Sequence, residues 1–482
     1  MSGGDALFRP VGGEERAALV DAETGDVWSY SKLRAAAGAV RDVLADHSPG
    51  LVAWLSRSRL DRVAAYLGSL ESHHAVLPMS PNLSAEAKRR ILDAYRPELL
   101  VAGHEDDLPT DEAYEALPLL GETSVWRRRE PEQSSSIHPD LKLLLSTSGS
   151  TGSPRMVRLT ARNVLSNAHQ IVTALGIDPA ERAVTSLPLF YSFGLSVLHS
   201  HLVAGASVLL QDDSVVEPTF WEAVDEFGVT SISGVPQTFA ALRRVGFQEL
   251  APTSVRTLAQ AGGKMPVPLI EHFHRMMSER GGVLFVMYGQ TEATARISVL
   301  PPAQLPQKMG SVGVPLEGGV VDIDRSGSGS PADDIGEIVD RGPNVMRGYA
   351  QERRHLAGGD ELQGTLRTGD LGYLDDDGVL YIRGRIKRIA KVFGNRVNLD
   401  DIEDQLADVG PLAVIDSEGR LVVFVLEPKA QLAVAAIDRL SREMRLHTSA
   451  FGIMTLDELP LLSNGKVDYA GLARLAEDGS SP

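Results

Sequence analysis

The chain contains no cysteine. Disulfides, thiolate catalysis and cysteine-ligated zinc are therefore excluded. No apolar run reaches the length of a membrane-spanning helix. Nor does the start, Met1-Ser-Gly-Gly-Asp-Ala6, carry the basic segment and apolar stretch of a secretory signal. These absences predict a cytoplasmic protein without a membrane partner. Positive charge is also scarce: 47 Lys and Arg face 64 Asp and Glu, for a net charge of −17. That balance disfavours nucleic acid as a partner. An anionic substrate must then be held by local donors, not by the field of the whole molecule.

What is present is the composition of a globular protein, 43% apolar and 23% charged over 482 residues. That length predicts two or more domains. Short aliphatic runs read as strands: Leu51–Leu55, Leu99–Ala102, Ala206–Leu210, Val229–Ser233 and Val283–Met287. Between them, Asp61–Leu70 and Glu86–Ala94 read as helices. The alternation predicts α/β layers with parallel sheets. From about Gly318 the pattern changes to turns and hairpins, with Ser326-Gly-Ser-Gly-Ser330 and the turn Asp375-Asp-Asp-Gly378 between strands Leu371–Leu374 and Val379–Ile382. A basic knot follows at Arg383, Arg385, Lys387, Arg388 and Lys391, then an α+β segment with strands near Leu421–Leu426 and Phe451–Thr455.

The most informative stretch is Ser146-Thr-Ser-Gly-Ser-Thr-Gly-Ser-Pro-Arg155, between the apolar run Leu141–Leu145 and a helix predicted from about Ala161. Gly149 and Gly152 let the backbone approach anionic oxygens, and Thr147, Ser148, Ser150 and Thr151 add hydroxyl donors. By itself such a loop is also what a flexible linker looks like. Four more clusters accompany it. Met287-Tyr-Gly-Gln-Thr-Glu292 closes a strand, where open α/β sheets bind ligands; Glu292 could hold Mg²⁺ together with phosphate oxygens. Arg367-Thr-Gly-Asp370 offers a carboxylate able to accept from two ribose hydroxyls. Gly384-Arg385 with Lys391–Val397 is the fourth. The fifth, Leu459–Asp468, carries Lys466 on a glycine-flanked loop.

All five, in this order and at these separations, resemble the superfamily of acyl- and aryl-CoA synthetases, adenylation domains and luciferases, from about Trp28 to Leu472. The resemblance implies ATP-dependent activation of a carboxylic acid as an acyl-adenylate, then transfer to coenzyme A or to the phosphopantetheine of an acyl carrier protein. It implies an α/β fold: a large N-terminal domain of packed sheets with a small β-subdomain (1–384), a hinge (385–388) and a small mobile α+β domain (389–482). Thr147, Ser148, Gly149, Ser150, Thr151 and Gly152 would hold the β- and γ-phosphates. Gly262, Gly263 and Tyr288 would enclose adenine, with Gly289 beside them. Asp370 and Arg385 would hold the ribose. The implied catalytic set is Thr291 on the α-phosphate, Glu292 on Mg²⁺, Arg385, and Lys466 between the acid and the α-phosphate. Lys387 sits at the implied hinge, and Gly394 would line a thiol tunnel. The acid pocket would be lined by Tyr191, Ser192, Phe193, Ser233, Gly234, Gln237, Ala261, Met287, Gly289 and Thr294.

The chain departs from the family pattern in places. Arg155 and Met156 stand where Lys and Gly are usual in the phosphate loop, and Lys264 where Ala or Glu is usual. In Leu187-Pro-Leu-Phe-Tyr-Ser-Phe-Gly194, Tyr191 replaces the Asp of amino-acid-activating relatives and the His of many CoA synthetases. An α-ammonium would lose its counter-charge there, at a high desolvation cost. The expected substrate is therefore an acid without an α-amino group, with aryl or unsaturated acids favoured by Phe190, Tyr191 and Phe193. Two alternatives stay open. One is adenylation with a non-thiol acceptor, such as amide formation or nitrite activation for diazotisation of an aromatic amine. The other is a non-catalytic nucleotide-binding protein.

Overall fold

In the computed structural model the described residues are 13–103, 106, 113–117, 123–130, 137–146, 155–326, 334–392, 395–417, 419–443, 446–462 and 466–478. The predicted phosphate loop Thr147–Gly152, the tunnel residue Gly394, and Ser463–Gly465 beside Lys466 lie outside them. The chain divides into two compact units. One holds the chain up to Val320 together with Asp340–Leu366; the other holds Val321–Val339 and the chain from Arg367 on.

The first unit is built on two large sheets. The nine-stranded sheet runs Val314–Pro315, Ser298–Leu300, Val283–Tyr288, Thr257–Gln260, Ser231–Gly234, Arg182–Val184, Ser207–Leu210, Ala17–Asp21, Val27–Ser29. Its centre is parallel, as the alternating pattern predicts, but both edges are closed by antiparallel strands. The eight-stranded sheet is likewise mixed, with Leu51–Leu55 parallel to Ala75–Met79 and to Leu99–Gly103. All five residues of Leu51–Leu55 are buried, which is why that strand reads as one unbroken apolar run.

Some helices begin at a side-chain cap, as at Ser29, Ser84 and Thr160. Thr160 and Asn163 form a reciprocal capping box at the start of Ala161–Leu175, and Gly176 ends it in the left-handed conformation. The helix Ser192–Ala204 is buried at all 13 positions. Its neighbours explain this: it packs against Ala161–Leu175 and the nine-stranded sheet, while His199 bonds Tyr66 on the helix Leu60–Glu71. A helix surrounded in this way carries no polar face.

The second unit holds a four-stranded sheet ending in the hairpin Thr365–Leu374 and Leu380–Arg385. Asp375 makes its turn, accepting through Oδ1 from the amides of Asp377 (3.1 Å) and Val379 (2.9 Å). Beyond it lie a two-stranded sheet and a three-stranded sheet in which Arg420–Leu426 pairs antiparallel with Leu412–Ser417 and parallel with Phe451–Leu456.

Candidate active site

Strand register assembles the first half of the site. Gly234 pairs with Gln260, and Gln260 with Val286, on parallel strands. The C-terminal ends of three strands therefore bring Ser233-Gly234, Ala261-Gly262-Gly263 and Met287–Thr291 to one sheet edge. Chain contacts there are close. Gly262 has φ +85°, and a Cβ on it would lie 2.9 Å from the Tyr191 hydroxyl. A Cβ on Gly289 would fall 1.9 Å from the carbonyl oxygen of Ala295. Both positions require glycine.

Tyr191 and Phe193 meet edge to face, with ring centroids 6.5 Å apart. They share an apolar cluster with Val235, Ala261, Phe285 and Met287. The two rings expected to line the acid pocket are thus part of the buried core. Ser233, Ser192 and Thr291 are buried, and the hydroxyls of Ser192 and Thr291 lie 3.1 Å apart. Gln237 stands in the first turn of the helix Pro236–Val245, with its Oε1 buried and unpaired. Thr294 has φ +65°, sparsely populated for a β-branched residue, and its hydroxyl donates to the Asn344 carbonyl at 2.7 Å.

Glu292 sits on the single 3-10 turn Thr291–Ala293. Its Oε1 accepts from the Tyr349 hydroxyl at 2.8 Å. The Arg155 guanidinium lies 3.3 Å from the centroid of that tyrosine ring. Burial, with Glu292 beside it, pushes the Tyr349 phenol up, so it stays a donor. The residue standing in place of the usual loop lysine is therefore stacked behind the carboxylate expected to hold the metal. One carboxylate completed by phosphate oxygens suits Mg²⁺, which demands few protein ligands.

Three side chains here gave no signal in the motif reading. Asn344 donates to the Arg296 carbonyl (3.1 Å) and to Asp340 Oδ2 (3.3 Å). Burial raises the Asp340 carboxyl to about 7. Arg296 is buried, with its guanidinium 3.7 Å from the Phe193 ring centroid. It lies eight positions after Tyr288, and a charge between Ala295 and Ile297 was the one available hint.

The second unit carries the other expected residues. Asp370 and Arg385 are cross-strand partners in the hairpin, with Arg385 Nε 2.8 Å from Asp370 Oδ1. The carboxylate is buried and the arginine exposed. Lys387 is exposed, whereas its neighbour Arg388 is half-buried and structural. Arg388 bonds Asp400, sits 2.7 Å from Glu403 Oε1 and stacks on Tyr469 at 4.1 Å. The basic knot thus splits into an internal tie and surface cations. Lys466 is partly buried, and its carbonyl accepts from Leu462 N at 2.7 Å.

Glycine-bearing strand ends, a carboxylate on a 3-10 turn and a buried hairpin aspartate are features of a nucleotide-binding α/β enzyme. The AMP-binding enzyme family model matches residues 10–350, and the chain belongs to that family. Over 264 residues it is 34% identical to 2-succinylbenzoate–CoA ligase of Bacillus subtilis, covering 55% of this chain and 52% of that one. The chain thus spans about half the length of that relative. The ligase of the same name from Bacillus cereus strain ATCC 10987 is 30% identical over 388 residues, 77% of this chain and 79% of its own. Among solved structures, o-succinylbenzoate CoA synthetase of Bacillus subtilis with its acyl-adenylate intermediate OSB-AMP superposes with a TM-score of 0.74, 26% identity and 95% coverage of both chains. The same synthetase is known with ATP and a magnesium ion and, as a double mutant, with the product analogue OSB-NCoA. MatB from Rhodopseudomonas palustris with ATP shares the fold at 21% identity, with a TM-score of 0.77 and 98% coverage of both chains.

Proposed function

We propose that this chain activates a carboxylic acid with ATP and passes the acyl group to a thiol, coenzyme A ahead of a carrier-protein phosphopantetheine. The observation carrying this reading is the meeting of Gly234, Ala261–Gly263 and Met287–Thr291 at one sheet edge. The OSB-AMP complex of a relative sharing the fold across 95% of its length supports it.

A carboxylate oxygen of the acid attacks the α-phosphorus of ATP. The new O–P bond replaces the bond to pyrophosphate, which leaves. The acid is already an anion, so no general base is needed. The barrier is the approach of two anions, and the catalytic residues act by electrostatic stabilisation. Thr291 directs its hydroxyl to the α-phosphate. Asp370 accepts from the ribose hydroxyls, with Arg385 holding its carboxylate. Lys466 neutralises charge between the acid and the α-phosphate. Magnesium, held by Glu292, would supply further charge compensation on the phosphates. The thiol then attacks the acyl carbon and AMP leaves. Residues 385–388, with Lys387, serve as the hinge between the two half-reactions, and Gly394 lines the thiol path.

The acid lacks an α-amino group. Tyr191 supplies no counter-charge, and Arg296, stacked on its neighbour Phe193, has the wrong sign for an ammonium. The test is ATP conversion to AMP and pyrophosphate with pools of alkyl, aryl and amino acids, and separately nitrite, each with and without coenzyme A. An acyl-CoA product is expected. AMP without a thioester would move the acceptor to a carrier protein, an amine or nitrite chemistry, and no AMP from any pool would overturn the adenylation reading.

A further inference from the structure

Four arginines are buried among the described residues: Arg62, Arg158, Arg296 and Arg353. Three have a carboxylate. Arg62 pairs with Asp61 at 2.7 Å, Arg158 with Glu361, and Arg353 with Glu98. Arg296 is 3% exposed and has no carboxylate partner among the described residues. Its guanidinium makes a long bond from Nη1 to the Ala295 carbonyl, 3.3 Å, lies over the Phe193 ring face, and interacts electrostatically with Tyr191, a neutral phenol and not a counter-charge. Its Nε has no hydrogen-bond partner. A guanidinium has five N–H donors in a planar fork, and burying it without a counter-charge is costly. Desolvation draws this one down to about 9, an unusual value for arginine.

Its location gives the cost a purpose. Phe193, on which it stacks, meets Tyr191, and the Tyr191 hydroxyl lies against Gly262. These are walls of the expected acid pocket. A backbone carbonyl and a ring face satisfy only part of the Arg296 fork. The ligand chemistry that completes it is a planar oxyanion, taken bidentately.

We propose that Arg296 recognises a second anionic group on the acid substrate, remote from the carboxylate that is adenylated, so that the substrate class is a dicarboxylic acid or an acid bearing an equivalent oxyanion. The inference rests on the adenylation reading above and narrows its substrate. It assigns Arg296 to specificity, not to the reacting atoms.

Acid-dependent pyrophosphate release tests it with matched pairs differing by one distal carboxylate: hexanoate and adipate, benzoate and terephthalate, 3-phenylpropionate and its 4-carboxy derivative. For at least one pair the native protein should favour the dianion by about tenfold or more in kcat/KM. In Arg296→Leu that ratio should fall about a hundredfold, through the acid, with the ATP KM within about twofold of native. Arg296→Lys, which keeps the charge but loses the fork, should retain part of the preference; it also serves if the leucine variant does not fold. No preference for any dianion, or equal loss for both members of each pair, would overturn the inference and make Arg296 a structural residue. A large rise in ATP KM would also overturn it, because the oxyanion would then be a nucleotide phosphate. No AMP from any acid would instead bring down the adenylation reading itself.

Discussion

Gly289 shows how much one missing methyl group can decide. The Ala295 carbonyl oxygen occupies the place of its Cβ, and Arg296 Cα lies 2.7 Å from the same point. Both obstacles are backbone, so they cannot rotate away as a side chain would. The Gly289→Ala protein should lose about 2–4 kcal/mol of stability. It should also release pyrophosphate more slowly, because Thr291 and Glu292 hang on the displaced turn. Urea unfolding and a pyrophosphate assay check the two effects; native behaviour in both would refute the steric reading. The motif in the sequence marks Gly289 as special. It gives no sign that Thr294 must adopt φ +65°, nor that Tyr349, 57 residues away, bonds Glu292. Those facts depend on which segments meet, and local propensity carries no such information.

Elements separate along the same line. Strands buried on both faces, such as Leu51–Leu55, and the capped helix Ala161–Leu175 were legible, because an unbroken apolar run and a cap are local signals. The helix Ser192–Ala204 was not read, since burial on every side removes the 3.6-residue period. That helix holds two buried histidines. His199 bonds the Tyr66 hydroxyl through Nε2 at 2.9 Å, and His201 bonds the Val197 carbonyl through Nδ1 at 2.8 Å. Desolvation lowers them to about 3 and about 4. The folded state thus favours the neutral rings, whereas the unfolded chain takes protons near the ordinary value of 6.5. Their contribution to stability is complete above pH 6.5 and is lost as pH falls towards those depressed values. Each histidine should cost up to about 2 kcal/mol between pH 7.5 and 5. Buried His74, lowered to about 4, adds to the same loss, so denaturant titrations at the two pH values should show it smaller by up to about 2 kcal/mol in His199→Gln. An unaltered pH slope in that variant would place the acid sensitivity elsewhere.

For the molecule as a whole, the proposed chemistry draws on both compact units. Glu292 and the glycine-bearing strand ends belong to the first; Asp370, Arg385 and Lys466 belong to the second. If Lys466 serves charge neutralisation and not nucleotide binding, Lys466→Ala should lower adenylation by about two orders of magnitude or more, with ATP affinity nearly unchanged. Pyrophosphate release together with equilibrium ATP binding checks this, and equal release from variant and native protein would remove Lys466 from the mechanism. The sequence by itself determined the family resemblance, the α/β class, the order of the five clusters and the exclusion of a cysteine nucleophile, disulfide or cysteine-held metal. Those properties lie in contiguous residues and composition. Tertiary structure alone decided that the sheets are mixed, that Arg388 is an internal tie and Lys387 a surface cation, that Arg155 stacks behind Tyr349, and that Arg296 is the one buried arginine without a carboxylate among the described residues. Each depends on pairing across long chain separations, and burial, which sets the cost of a charge, exists only once the chain has closed around it.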